Sequence, residues 1–177
     1  MHLNPYGEDA VNMAADLANR RPTSAEELTA RCRAAGLTLH SPATPQDLDR
    51  ILDALDMWEK VVDATDEHER ANLVNAMLAA STAHPRLTNH ADDGWHVHYR
   101  EEHRHVGPLL SGLISMGTAL HLAGRGMHRL QRCAATECTT IYADTSRTGR
   151  QRYCSPRCAN RDAVRRHRAR TAFATPL

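Results

Sequence analysis

Apolar residues recur at helical spacing through most of residues 1–124. In EDAVNMAADLANRRP, Val11, Ala14, Ala15, Leu17 and Ala18 fall on one face, and the run stops before Pro22. Ser24 and Glu27 have the spacing of a capping box and open a second helix, for which Gly36 is the stop. Thr44 followed by Pro45 starts a third, with a long stripe of Leu48, Ile51, Leu52, Leu55, Trp58 and Val62. Asp66 to Ala80 reads as a fourth helix, packed antiparallel to the third. Together these elements predict a helical scaffold.

The period changes in RLTNHADDGWHVHYR, residues 86–100, where Trp95, Val97 and Tyr99 alternate with His96, His98 and Arg100 behind an Asp-Gly pair. Period two after such a turn signal predicts a β-hairpin with Trp95, Val97 and Tyr99 as packing residues. A fifth helix, from His105 to Leu122, carries Leu109, Leu110, Leu113, Ile114 and Leu120 and ends near Gly124. GRGMHRLQR then turns into the C-terminal segment. The expectation is an α+β, mostly helical N-terminal domain with a β-hairpin over residues 1–124, and a small second module over residues 125–177.

A chain of 177 residues is long enough for one sizeable core plus such a module. It has no apolar run of about 18 residues to span a membrane. Its start, MHLNPYGEDA, lacks the charged and apolar regions of a signal peptide. A cytoplasmic protein without a membrane partner is expected. The overall charge of +1 conceals a division, because residues 125–177 hold twelve arginines against Glu137, Asp144 and Asp162, whereas residues 1–124 have a surplus of acids. A basic segment of this kind points to a polyanionic partner.

Four of the five cysteines lie in that segment, as Cys133-x4-Cys138 and Cys154-x3-Cys158. A reducing cytosol disfavours disulfides, and a thioredoxin-type dithiol needs a C-x-x-C at a helix start, which neither pair supplies. Two close pairs separated by the length of a hairpin meet the needs of one tetrahedral structural Zn2+. Four thiolates leave no open position for a catalytic water. Ser155 can cap a helix beginning at Pro156, which puts Cys154 just before it and Cys158 in its first turn, with both sulfurs on one face. TTIYAD has strand character and SRTGR holds a turn, so knuckle, hairpin and helix describe a treble-clef-like or zinc-ribbon-like finger. Cys32 stands apart in a predicted helix as a buried or indifferent thiol.

These cysteines, with YADTSR and QRYCSPRCANR, resemble the CGNR zinc-finger family of bacterial proteins. The preceding part, with GEDAVNMAADLANRRP and RLTNHADDGWHVHYR, resembles the ABATE domain that usually stands before that finger. The resemblance covers nearly the whole chain and implies a stress-induced transcription regulator. The name motif reads Cys158-Ala159-Asn160-Arg161, with alanine where the family has glycine; inside a helix alanine is the better former.

At 100° per residue, Arg157, Arg161, Arg165 and Arg168 fall within an arc of about 80° on the last helix. Arg147, Arg150 and Arg152 project from the predicted hairpin turn. A cationic stripe on a zinc-anchored helix suits DNA, through phosphates and through base edges in the major groove. The competing use is neutralisation of a zinc tetrathiolate, which carries a formal charge of −2. Tyr142 and Tyr153 are the finger's only aromatics short of the chain's end, too few for the stacking platforms of single-strand RNA modules. RNA binding or protein interaction, with zinc purely structural, is the alternative. His90, His96 and His98 offer a second metal constellation on the hairpin. No nucleophile elbow or glycine-rich phosphate loop marks an enzyme. The acidic N-terminal module is left to regulation: sensing a small-molecule effector, forming a homo-oligomer, or shielding the finger.

Overall fold

The computed structural model describes residues 7–89, 95–99 and 105–173. Helices α1 (Glu8–Asn19), α2 (Ala25–Ala34), α3 (Pro45–Asp63) and α4 (Glu67–Ser81) precede a two-stranded hairpin, β1 (Arg86–Thr88) with β2 (His96–His98). Helix α5 (Val106–Arg125) follows, then a 3-10 turn, Met127–Arg129, strands β3 (Leu130–Arg132) and β4 (Ile141–Ala143), and the closing helix α6 (Pro156–Phe173). Both strand pairs are antiparallel. The fold is α+β and mostly helical, with a cysteine-rich finger that ends in a helix.

Helix α5 is the centre of the bundle and packs against α1, α3 and α4. Its length and mean hydropathy match those of a membrane span, which corrects the expectation of no such run, yet 67% of its apolar 18-residue stretch is buried inside the fold. It also carries buried Ser111, Ser115, Thr118 and His121, so it serves as the core helix of this bundle. Trp58 of α3, fully buried, donates its indole N–H to Thr118 Oγ1 at 2.9 Å. That bond satisfies the one polar atom of the largest core side chain. Where α1 meets α5 the backbones nearly touch: a Cβ on Gly117 would run into Ala10, and one on Gly7, at φ 63°, would run into Gly117. Only glycines allow that approach.

Local sequence signals set most helix ends. Thr44 and Asp47 form a complete capping box, and Asp47 Oδ1 also accepts the Gly107 N–H at 2.8 Å, which ties the start of α3 to the start of α5. Ser24 accepts the Glu27 N–H at 3.2 Å, but the Glu27 carboxylate turns to Thr23 instead of closing the box on Ser24. Cys32 is fully buried in α2, where burial pushes its thiol up to about 11.

The first hairpin forms in the expected place, with Leu87 opposite Val97 and Thr88 opposite His96. Its packing meets expectation at Tyr99 and departs from it at Trp95 and Val97. Tyr99 and His98 are buried, whereas Trp95, Val97 and Leu87 are 72%, 57% and 65% exposed. Val97 and Tyr99 share a face by alternation, so burial here follows position along the strand, with the residues at its end, His98 and Tyr99, covered.

The second hairpin also departs from expectation. β4 pairs with β3, so the strands flank the first cysteine pair instead of filling the space between the two pairs. Leu130, Ile141 and Ala143 belong to the same buried cluster as Trp58 and Ile114. Polar contacts reinforce this seam. The Asn19 carboxamide bonds both the N–H and the C=O of Ile141, each at 2.8 Å. Arg132 reaches Asp63 at 2.6 Å and Glu59 at 2.9 Å. Arg70 donates to the carbonyls of Met127, Val62 and Ala64.

Candidate metal centre

Two short loops and one helix start supply the four thiols. Between β3 and β4, Cys133 N–H bonds the Thr140 carbonyl and Cys138 N–H bonds the Ala135 carbonyl, each at 2.9 Å, which curls the chain into a knuckle. Ala134 N–H bonds the Arg152 carbonyl at 2.8 Å, so the second ligand loop is laid against the first. Ser155 then caps α6 as the sequence predicts: its Oγ accepts the Cys158 N–H at 3.3 Å and its carbonyl the Ala159 N–H at 3.1 Å.

The result brings Cys133, Cys138, Cys154 and Cys158 together, with all four sulfurs within 4.8 Å of one another. Cys138 Sγ lies 3.8 Å from Cys154 Sγ, which lies 3.7 Å from Cys158 Sγ. A disulfide needs about 2.05 Å. A tetrahedron with zinc–sulfur bonds of about 2.3 Å has edges of about 3.8 Å, so the cage fits that ion. The protonation pattern fits too. Bonds with Thr140 hold the Cys138 thiol down to about 6, while burial and the crowding sulfurs push Cys154 up to about 12. Four thiols this close cannot all ionise until a cation settles among them. The site therefore holds one structural zinc.

A buried acid organises the loop between the ligand pairs. Asp144, 0% exposed, accepts the Ser146 N–H at 2.9 Å and the Gln151 N–H at 3.0 Å, and pairs with Arg129 at 3.6 Å. Arg129 is itself buried and donates to the carbonyls of Arg125, Asp144 and Ser146. Sequence reasoning overlooked both residues. Asp144 had a local signal, since an Asp that bonds the N–H two residues on is a common turn device. Arg129 had none.

The predicted arginine set divides. Arg161 Nη2 sits 3.5 Å from Cys158 Sγ and so donates to a zinc ligand. Arg165 binds Asp162 at 2.9 Å, where Arg166 (3.0 Å) and the Tyr153 hydroxyl (2.7 Å) also converge. Arg147, Arg150, Arg157 and Arg168 are exposed and have no ion-pair partner among the described residues. Arg152 is exposed and stacks near Tyr153, 5.9 Å from the ring centre. Tyr142 is buried with its hydroxyl on the Gln151 carbonyl at 2.7 Å. Both tyrosines are thus occupied within the finger.

Of the histidines, His90 lies outside the described residues. His96 has its backbone opposite Thr88, and His98 is buried opposite Arg86. Among the described residues, the four cysteines are the one group of three or more His, Cys, Asp or Glu that could hold a metal ion.

Comparison with known proteins agrees with this geometry. Residues 129–171 match the CGNR zinc finger, and residues 11–136 match ABATE, described as "Putative stress-induced transcription regulator". No curated protein matches the chain. The two matches overlap across β3 and the start of the first knuckle, a stretch that includes Leu130 of the core shared by bundle and finger. Since the longer match takes in well over half of its residues, the chain belongs to the ABATE family and carries a CGNR zinc finger at its C-terminal end.

Proposed function

We propose that the protein is a non-enzymatic transcription regulator whose zinc finger binds duplex DNA and whose helical ABATE part is regulatory. One observation carries this reading. From Ala163 to Thr171 every residue of α6 is exposed, and the segment includes Arg165, Arg166, Arg168 and Arg170 with His167. Among the described residues only Arg165 and Arg166 have an acid, the shared Asp162. A helix without an apolar face gains nothing from projecting like charges into water. Phosphates in place of water remove that repulsion and release counterions. Both finger tyrosines are already engaged, which favours duplex over stacked single strands.

Fluorescence anisotropy of the zinc-loaded chain on random duplex DNA, beside single-stranded RNA of equal length, tests the reading. Tighter binding to duplex is expected. Tighter binding to RNA, or to neither, overturns it. Protein interaction has one observation in its favour, the exposed Leu87, Trp95 and Val97 on the first hairpin.

A further inference from the structure

Helix α6 offers DNA more than charge. At 100° per residue, Asn160, Val164, His167 and Thr171 fall within an arc of about 60°. That arc lies opposite Cys158 and Asp162, the helix's two buried residues among those described. Arg157, Arg168 and Arg161 border it on one side, and Arg170 and Arg166 on the other. All nine of these residues are exposed, and Val164, 50% exposed, is the one large apolar side chain so open to water among the described side chains of the helix. Asn160 makes no side-chain hydrogen bond among the described residues, although it stands next to the metal cage.

From this arrangement we infer that Asn160, Val164, His167 and Thr171 form the base-reading face of α6 in a DNA major groove, with Arg157 and Arg168 on one phosphate backbone and Arg170 on the other. The inference rests on the duplex-DNA reading above and assigns sequence recognition to residues other than the arginines.

Chemistry, length and charge agree with this occupant. An asparagine carboxamide pairs bidentately with adenine N6 and N7, and valine and threonine methyls fit the thymine methyl. A histidine ring nitrogen can bond a purine acceptor. The four residues span about 16 Å along the helix axis, the rise of about five base pairs. Zinc and the Ser155 cap fix the first turn, which puts Asn160 at the rigid end, where recognition helices usually read bases. Flanking cations on both sides of a neutral face match a groove bounded by two phosphate chains. Thr136 and Glu137 of the first knuckle line a groove beside Asn160, Val164 and Arg168. The carboxylate of Glu137 adds an acceptor for a base-edge donor to a groove that Arg161 and Arg165 also line.

Selection from a random duplex pool with the zinc-loaded full chain, repeated with Asn160→Ala, Val164→Ala and Arg168→Ala, tests the assignment. All three positions are exposed, so metal content and melting serve as controls on folding. Asn160→Ala should relax preference at one or two base pairs, with discrimination there falling about 5- to 150-fold, and Val164→Ala should relax preference at its thymine contact by less, the salt slope unchanged in both. Arg168→Ala should weaken binding to all sequences alike and reduce the slope by about one. If both neutral variants select the wild-type motif at wild-type discrimination, the base-reading face is elsewhere, and the duplex-DNA reading stands. A chain that binds no duplex overturns both.

Discussion

Asn19, the last residue of α1, holds Ile141 of β4 from both sides: its Nδ2 donates to the Ile141 carbonyl and its Oδ1 accepts the Ile141 N–H, each at 2.8 Å. The amide thus replaces a neighbouring strand at an edge that has none. Asn19→Ala leaves two half-buried backbone groups without partners and should cost about 1–3 kcal/mol in urea denaturation. Zinc content should not change, because no ligand loop is touched. Arg132→Ala, which releases Asp63 and Glu59 on the same seam, should act in the same direction.

The metal separates two kinds of cysteine. Cys154→Ser should lower bound zinc from about one per chain to well below it and unfold the finger. Cys32→Ala, by contrast, should leave zinc at wild-type level, since that thiol lies in the bundle core. Elemental analysis after gel filtration reads both. Chelation should release the finger's protection from proteolysis while the bundle resists.

Asp144 gives the finger an acid limit. Burial alone would raise its pKa, but the Ser146 and Gln151 bonds and the Arg129 charge outweigh it and hold the carboxyl below its ordinary 3.8. Its contribution is therefore complete above about 3.8 and lost as pH falls below that, through the folded value. Asp144→Asn should cost about 3 kcal/mol at neutral pH by leaving Arg129 buried without its counter-charge. The variant's stability should also fall less steeply in acid, as read by denaturation across pH 2–5.

His121 works in the opposite sense from a stabilising histidine. It is fully buried, and neither ring nitrogen finds a well-formed hydrogen bond among the described residues, the Arg129 backbone only partly offsetting the burial. Burial holds its pKa below the usual 6.5. The unfolded chain then binds the extra proton, so stability is full above about 6.5 and declines as pH falls below it. Glu8, Arg125 and Arg129 are the charges around it. His121→Leu should be at least as stable at pH 7 and should lose this part of the pH dependence, measured by thermal melts from pH 5 to 8.

Local chemistry made much of this molecule legible. The stripe from Leu48 to Val62, the caps at Ser24, Thr44 and Ser155, and the spacing of the four cysteines are all short-range signals, and the structure uses each of them. Long-range pairing was not legible. Asn19 and Ile141 are 122 residues apart, and Arg132 meets Asp63 across 69. The three residues of β3 carry too little pattern to identify a strand, so β4 was given the wrong partner. Helical spacing put Arg161 and Arg165 in one stripe with Arg157 and Arg168, but spacing does not show which cations find an internal anion. Cys158 and Asp162 engage those two.

The measurement that bears most directly on DNA binding is the salt dependence of duplex affinity for the zinc-loaded chain. Arg147, Arg150, Arg152, Arg157 and Arg168 are exposed without acidic partners among the described residues. If most of them meet phosphates, log K against log salt should fall with a slope of about −4, and chelation should weaken binding by removing the anchor of α6. A slope near zero, or affinity unchanged after zinc is removed, would contradict the account.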